Sequence, residues 1–208
     1  ENIIRLYGRE ISIIVTEWNH HFLNYSISME SVGHCIVFAD GLLSMTRAGR
    51  EQAICWTLRW SGDDTKSNET RNYGLLDEDS FEPTGIGELF QWFCSELSGA
   101  VLVNTELSED VRNINCQAYL ARESKRLMLF LVNRGPSEKG IQIQFGDFDV
   151  DETVRVRSMM PTSVLQGRRV TVDDRNMITV VQKVNCESSS CCISVPPYSV
   201  TEISVEIM

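Results

Sequence analysis

The feature that most constrains the fold is the stretch from Glu10 to Asn19, with a run of β-branched residues at positions 13–15, Ile-Ile-Val. Side chains branched at Cβ favour a pleated strand over a helix. Because residues 13–15 are apolar without alternation, they predict a strand covered on both faces, as strands of parallel sheets are. The run ends abruptly in Glu17-Trp18-Asn19. The pattern predicts either a functional site at the carboxyl end of a buried strand or an edge strand that ends in a solvated glutamate.

The next part of the sequence alternates between helical and strand-like patterns. Apolar residues at helical spacing predict a helix over residues 36–49, and residues 53–60 form a second apolar strand that ends at Trp60. Pro83 suits the first turn of an amphipathic helix over residues 83–97. Strand, helix, strand, helix is the repeat of a parallel sheet. Functional residues of such sheets collect at the carboxyl ends of the strands.

From about residue 99 the pattern changes to strand-like segments without helices between them. They span residues 115–121, 127–133, 141–145, 153–158, 177–184 and 199–207. Turn residues separate them, for example Asn-Arg-Gly-Pro at positions 133–136. The pattern predicts an antiparallel β-sandwich with one solvent-exposed face. We therefore place a domain boundary near Ser98-Gly99, between residues 1–98 and residues 99–208.

Composition excludes some classes of partner. The formal net charge is -10 and no basic cluster is visible, which argues against binding to a nucleic-acid backbone. No apolar run is long enough to cross a bilayer, so no membrane partner is predicted. The chain begins without Met and within a few residues of a buried strand. This start predicts that the chain is the C-terminal piece of a longer protein.

The chain has seven cysteines, an odd number, and no repeated Cys-x-x-Cys spacing. The first three lie in apolar surroundings and are most simply core residues. The last three, Cys186, Cys191 and Cys192, flank a Glu-Ser-Ser-Ser segment. This arrangement predicts either a disulfide-closed loop or a loop with free thiols. No histidine lies near these three cysteines as a fourth ligand, so no metal site is predicted. No cofactor is predicted either. The cysteines leave the compartment of the protein open, cytoplasmic or secreted.

Three features resemble, in this order, the retaining glycoside hydrolases of the large (β/α)8 clan, clan A, which includes families 51, 39, 30 and 79. Residues 15–19, Val-Thr-Glu-Trp-Asn, resemble the seventh-strand motif whose glutamate is the nucleophile. Residues 53–60 and 83–97 resemble the eighth strand and its closing helix. Residues 131–134, Leu-Val-Asn-Arg, and 195–201, Val-Pro-Pro-Tyr-Ser-Val-Thr, resemble the β-sandwich of family 51 α-L-arabinofuranosidases.

The resemblance implies an α/β plus all-β fold. Residues 1–98 would be the last two βα units of a (β/α)8 (TIM) barrel, and residues 99–208 an antiparallel β-sandwich. One departure is Thr16, because family 51 commonly has Asp before its nucleophile, whereas a Thr-Glu pair is more similar to family 39 or 30. The departure leaves the sugar open, arabinofuranoside or xyloside.

The function implied is that of the C-terminal part of a retaining exo-glycosidase that hydrolyses O-glycosidic bonds. Its substrate would be an oligosaccharide or a polysaccharide side chain, and Glu17 would be the catalytic nucleophile. The resemblance places the acid/base glutamate upstream, in a barrel portion that the chain lacks and requires, so we expect the chain alone to be inactive. The oligomeric state stays open, a homo-oligomer included.

Three further residues are predicted to bind substrate: Trp18, Asn19 and Trp60. An indole face stacks readily on a sugar ring, but both tryptophans equally suit packing between strand ends. Asn19 either orients Glu17 or caps the following turn. The rival hypothesis, from another class, is a non-catalytic carbohydrate-binding or scaffold protein that retains the β-sandwich. A third is an unrelated α+β domain in which Glu17 is merely exposed.

Overall fold

The computed structural model describes residues 14–18, 31–48, 52–55, 57–58, 74–77, 79–108, 111, 113–171, 174, 176–187 and 189–208. The helices are α1 (Val32–Arg47), α2 (Gly85–Leu97) and α3 (Thr162–Leu165). The strands are β1 (Ile14–Trp18), β2 (Gln52–Cys55), β3 (Val101–Val103), β4 (Ile114–Ala121), β5 (Arg126–Asn133), β6 (Lys139–Gln144), β7 (Thr153–Pro161), β8 (Met177–Asn185), β9 (Ser190–Val195) and β10 (Ser199–Glu206). None of the described helices is both long and apolar enough to span a membrane.

Both long helices lie where the sequence predicts them, with bounds set by their N-caps. Helix α1 begins at residue 32 rather than 36, because the Ser31 side chain accepts a hydrogen bond from the backbone N–H of His34 at 3.4 Å. Helix α2 begins at residue 85, because the Thr84 hydroxyl accepts one from the N–H of Gly87 at 3.2 Å. Pro83 therefore lies just before the helix rather than in its first turn.

Strands β1 and β2 pair in parallel, with α1 between them in sequence, as the βα pattern predicts. The prediction that β1 is covered on both faces is wrong for the described residues. Val15 and Trp18 are half-buried, but Ile14 is 49% exposed and Ile54 of β2 is 54% exposed. The reason is that α1 covers only one face of this two-stranded sheet.

The larger sheet has six strands in the order β3-β4-β5-β10-β7-β8 and lies between two layers. One face packs on α1 and α2, and we call the apolar cluster there the helix-side core. It includes Phe38, Leu43, Leu89, Phe93, Met128, Phe130, Val132 and Met159. The other face packs on the two-stranded β6-β9 sheet, and we call that cluster the sandwich core. It includes Leu127, Leu131, Ile143, Val156, Cys191, Ile193, Val195 and Ile203.

The prediction that one face of the sandwich is exposed to solvent is therefore wrong for the central strands. In β5, Met128, Phe130 and Val132 belong to the helix-side core, whereas Leu127 and Leu131 belong to the sandwich core. Period-two alternation here separates two buried faces, because helices cover the face that a simple sandwich leaves in solvent.

Two strands are missing from the sequence prediction, β3 and β9. Strand β3 has only three residues. Strand β9 does carry a local signal, since Cys191, Ile193 and Val195 are buried and the residues between them are exposed. Because of their serines and cysteines, residues 186–192 are interpreted as a loop from the sequence alone, so the alternation that begins at Cys191 is missed.

A cluster of charged side chains links α2 to the six-stranded sheet. Arg157 of β7 donates from Nε to Glu202 Oε2 of β10 at 2.7 Å, and its Nη2 lies 3.2 Å from Glu96 Oε1 of α2. Glu96 also pairs with Arg126 of β5. The Arg157 guanidinium carbon lies 4.0 Å from the centroid of the Trp92 ring. The Glu202 side chain is 0% exposed, and burial raises its pKa while Arg157 lowers it.

Helix α1 is attached to β4 in a similar way. Thr46 Oγ1 lies 2.6 Å from the Tyr119 hydroxyl, and Arg47 Nη2 donates to Asn115 Oδ1 at 2.8 Å and to the carbonyl of Cys116 at 2.7 Å. The helix-side core and these polar contacts thus contain side chains from both sides of residue 98. The division of the chain near Ser98-Gly99 stays a prediction.

Candidate active site

Glu17 lies at the carboxyl end of β1, followed in that strand only by Trp18. Its side chain is exposed. The backbone register around it is irregular: Val15 pairs with position 53 of β2, and Trp18 pairs with Cys55. Strand β1 therefore has one more residue than β2 between these two pairs. Such a bulge is a common device for re-aiming a side chain near an active site.

The bulge decides which way Glu17 faces. In a regular strand, residues two apart share a face, so Glu17 would share the half-buried face of Val15. Positions 53 and 55 of β2 are two apart, so their partners Val15 and Trp18 lie on one face, and Trp18 packs against the helix-side core. The extra residue thus gives the helix-facing position to Trp18 and leaves Glu17 exposed.

Trp18 packs onto helix α1. Its ring stacks on Phe38 with centroids 4.6 Å apart and an angle of 27° between the planes. A Cβ added at Gly41 would lie 3.6 Å from Trp18 Cζ3, so the indole lies directly against the helix at that turn. Within the described part of the chain, the buried Trp18 Nε1 has no hydrogen-bond partner. These contacts agree with the alternative in which Trp18 packs at the end of the strand. The predicted role of Trp18 in substrate binding stays a prediction.

The other two predicted substrate-binding residues, Asn19 and Trp60, lie outside the described residues, and their roles stay predictions. Among the residues that the structure describes, no three His, Cys, Asp or Glu side chains are grouped so that they could hold a metal ion.

A cleft of about 600 Å³ opens elsewhere, between the loop after α3 and the turn before β10, and Arg168, Arg169 and Tyr198 are among its lining residues. The lining contains none of the predicted site residues. This cleft therefore gives no support to an active site at Glu17. The case for that site depends only on the position of Glu17 at the carboxyl end of β1.

Sequence reasoning missed the charged cluster that holds α2 to the sheet. A signal for it was present, because Arg157 and Glu202 lie inside strand-like segments. Glu202 is two residues from Val200, which belongs to the helix-side core. A charge on a buried face requires a partner, but which residue supplies it depends on the pairing of β7 with β10.

The fold and site together define an α/β plus all-β protein with an exposed carboxylate at the end of a parallel strand. Among solved structures, similar folds occur in glycoside hydrolases of families 30 and 51, which belong to clan A. The family 30 endoxylanase from Clostridium papyrosolvens C71 matches with a TM-score of 0.68 and 12% identity, over 99% of this chain and 45% of that one.

Two arabinofuranosidases match similarly. The family 51 enzyme from Xanthomonas axonopodis pv. citri has a TM-score of 0.68 and 11% identity, over 94% of this chain and 41% of that one. The α-L-arabinofuranosidase from Thermotoga maritima, in complex with arabinose, has a TM-score of 0.66 and 15% identity, over 99% of this chain and 45% of that one. The chain thus spans less than half the length of these enzymes.

No protein-family model matches the sequence, and no curated protein sequence matches it. At 11–15% identity, the structural likeness is one of fold. At that level the resemblance to clan A glycoside hydrolases predicted from the sequence is confirmed.

Proposed function

We propose that the chain is the C-terminal part of a retaining exo-glycosidase that hydrolyses O-glycosidic bonds of α-L-arabinofuranosides, with Glu17 as its nucleophile. The observation that carries the proposal is the exposed Glu17 carboxylate on a bulge at the carboxyl end of β1. The fold likeness to family 30 and family 51 enzymes supports the same interpretation. In this proposal, β1 with α1 and β2 with α2 are the last two βα units of a (β/α)8 barrel.

The open surfaces of the β1-β2 sheet support the barrel interpretation. Within the described residues the sheet has two strands, and its face away from α1 carries Ile14 and Ile54, both about half exposed. Exposed apolar residues on a strand whose edge is unpaired are a liability that proteins normally cover. In the proposed whole protein, the preceding strands close the barrel around this face and bring a second carboxyl group to Glu17.

The chemistry requires that second group. Retaining glycosidases use two carboxyl groups about 5–5.5 Å apart. In the proposed reaction, Glu17 attacks the anomeric carbon and forms a glycosyl-enzyme, while the partner acid protonates the leaving oxygen. The partner then acts as a base for the water that hydrolyses the intermediate. The packing of Trp18 on Phe38 would fix the strand end beside Glu17 during both steps.

The test compares the full-length protein with its Glu17→Ala variant on aryl arabinofuranosides and aryl xylosides. Because loss of a nucleophile removes a step that binding cannot replace, we expect kcat to fall by about 10⁴-fold or more. Azide should restore turnover and yield a glycosyl azide, since a small anion fits the space left by the carboxylate. The control is Glu206→Ala, which removes an exposed glutamate at the end of β10 and should leave kcat unchanged.

Equal turnover by wild type and Glu17→Ala would refute the role of Glu17. Saccharide binding without turnover by the full-length wild type would favour the rival hypothesis of a carbohydrate-binding or scaffold protein. Faster turnover of the aryl xyloside than of the arabinofuranoside would overturn the proposed sugar and leave the nucleophile in place.

A further inference from the structure

The hairpin between β8 and β9 brings two cysteines together. Both are among the seven cysteines of the chain. Cys186 directly follows β8, the last strand of the six-stranded sheet, and Cys191 lies in β9, which pairs with β6 in the second sheet. Both side chains pack against the sandwich core, Cys191 as a fully buried member and Cys186 as a partly buried neighbour.

The turn of this hairpin fixes the register of the two cysteines. Glu187 and Ser190 exchange both backbone hydrogen bonds, at 2.7 and 3.0 Å, and form an antiparallel bridge. Ser189 in the turn has φ of 62°, as tight hairpin turns require. In an antiparallel ladder, the pair next to a hydrogen-bonded pair is a non-hydrogen-bonded one. The Glu187–Ser190 bridge is isolated, and Cys186 and Cys191 are the two residues directly next to it, where such a pair would lie.

A non-hydrogen-bonded pair suits a disulfide. Its Cα atoms are about 4.5 Å apart and its side chains approach closely, which lies within the roughly 4.4–6.8 Å range of disulfides. Burial raises the pKa of both thiols; beyond that, Cys191 lowers the pKa of Cys186 and Cys186 raises the pKa of Cys191, so the two side chains are close neighbours. From this geometry we infer that Cys186 and Cys191 form a disulfide that closes the β8–β9 hairpin and fastens the two sheets of the sandwich at this corner.

The alternative partner, Cys192, points the wrong way. Successive side chains of a strand face opposite sides, and Cys192 is exposed where Cys191 is buried. Both backbone positions are also fixed independently of the turn. The Cys186 N–H donates to the carbonyl of Glu152 at 2.7 Å, and Cys191 pairs with Ile143 of β6. Sliding the hairpin to present Cys192 would break the β6-β9 ladder.

The bond forms by two thiol–disulfide exchanges with a low-molecular-weight disulfide such as glutathione disulfide. The Cys186 thiolate attacks one sulfur of the oxidant and releases the first glutathione thiol; Cys191 then attacks the Cys186 sulfur and releases the second. The protein loses two protons and two electrons, and the oxidant becomes two thiols. Cys186 attacks first because it is partly exposed, whereas burial, with the neighbouring Cys186 thiol, raises the pKa of Cys191 to about 12.

The test incubates the chain with glutathione disulfide and digests it, without reduction, with a protease that cleaves after glutamate. Cleavage after Glu187 separates Cys186 from Cys191, so a disulfide between them appears in the mass spectrum as two linked peptides that reduction releases. We expect two fewer free thiols than in the reduced chain. We also expect a Tm about 4–8 °C higher, because crosslinking restricts the unfolded chain, although the closed loop is short.

Variants identify the partner. Cys192→Ser should keep both the linked peptides and the rise in Tm, whereas Cys186→Ser and Cys191→Ser should lose both. Cys94→Ser, at an exposed thiol on α2, is the matched control and should behave as wild type. Loss of the link in Cys192→Ser, an unchanged thiol count, or a link that leaves Tm unaltered would each overturn the inference.

Discussion

Replacing Arg157 by leucine tests how α2 is held to the six-stranded sheet. The Arg157 guanidinium pairs with Glu202 and Glu96 and lies over the Trp92 ring. Its loss leaves Glu96 with Arg126. Glu202 has no such second partner among the described ion pairs, its side chain is 0% exposed, and its Oε1 already lacks a hydrogen bond within the described part of the chain.

The cost follows from leaving that carboxylate buried and unpaired. Breaking a buried ion pair by removing one partner costs about 3–5 kcal/mol. The lost contact with Trp92 adds to this, and the leucine side chain offsets part of it through apolar packing. We expect the free energy of unfolding of Arg157→Leu to be about 3–5 kcal/mol lower than that of wild type at pH 8. For a chain of this length, the corresponding fall in Tm is roughly 6–20 °C.

The loss of unfolding free energy in Arg157→Leu should increase as the pH rises. Burial raises the pKa of Glu202 above its ordinary value of 4.5, and Arg157 lowers it, so the variant has a still higher folded-state pKa. Its folded state then holds a proton that the unfolded state has lost, and stability falls as pH rises through the window above 4.5. We expect the difference from wild type to be at least about 1 kcal/mol smaller at pH 5 than at pH 8.

Urea unfolding followed by tryptophan fluorescence at both pH values measures these differences. The control is Arg134→Leu, which removes a more exposed ion pair, 3.5 Å long, with Asp40 and should cost no more than about 1 kcal/mol. The double variant Arg157→Leu with Glu202→Leu should recover most of the loss, since no buried charge is left unpaired and Glu96 keeps Arg126. A cost below about 1 kcal/mol for Arg157→Leu, or one independent of pH, would refute the reasoning.

Two further substitutions test the packing of α2. Leu89→Ala empties a fully buried position of the helix-side core and should lower the free energy of unfolding by about 2–5 kcal/mol. The control Leu165→Ala, at a residue 59% exposed, should change it by less than about 0.5 kcal/mol. Similar values for the two variants in urea titrations would contradict this packing. Gly87→Ala places a Cβ 1.9 Å from the Leu75 carbonyl oxygen and should cost about 3 kcal/mol or more, since backbone must shift. Gly140→Ala meets nothing within 4 Å, and equal Tm values for these two alanine variants would argue against the close approach of α2 to residue 75.

The local pattern of the sequence determined the elements of this protein. The cap residues Ser31 and Thr84 set where the long helices begin, because their side chains satisfy backbone donors within three residues along the chain. Strand-like apolar patterns identified β5 and β10, and the β-branched run before Glu17 identified β1. Each of these signals lies within one segment, so one segment is enough to detect it.

Only the tertiary structure decided which surfaces are covered and which groups meet. Strand β10 lies between β5 and β7, although both precede it by many residues, and that order brings Glu202 to Arg157. Residues 127–132 of β5 are apolar without alternation, which fits two covered faces, but the layers that cover them, the helices on one side and the β6-β9 sheet on the other, are set by the packing. The register bulge that exposes Glu17, the stack of Trp18 on Phe38 and the approach of Cys186 to Cys191 likewise depend on pairings between segments, which no single stretch of sequence encodes.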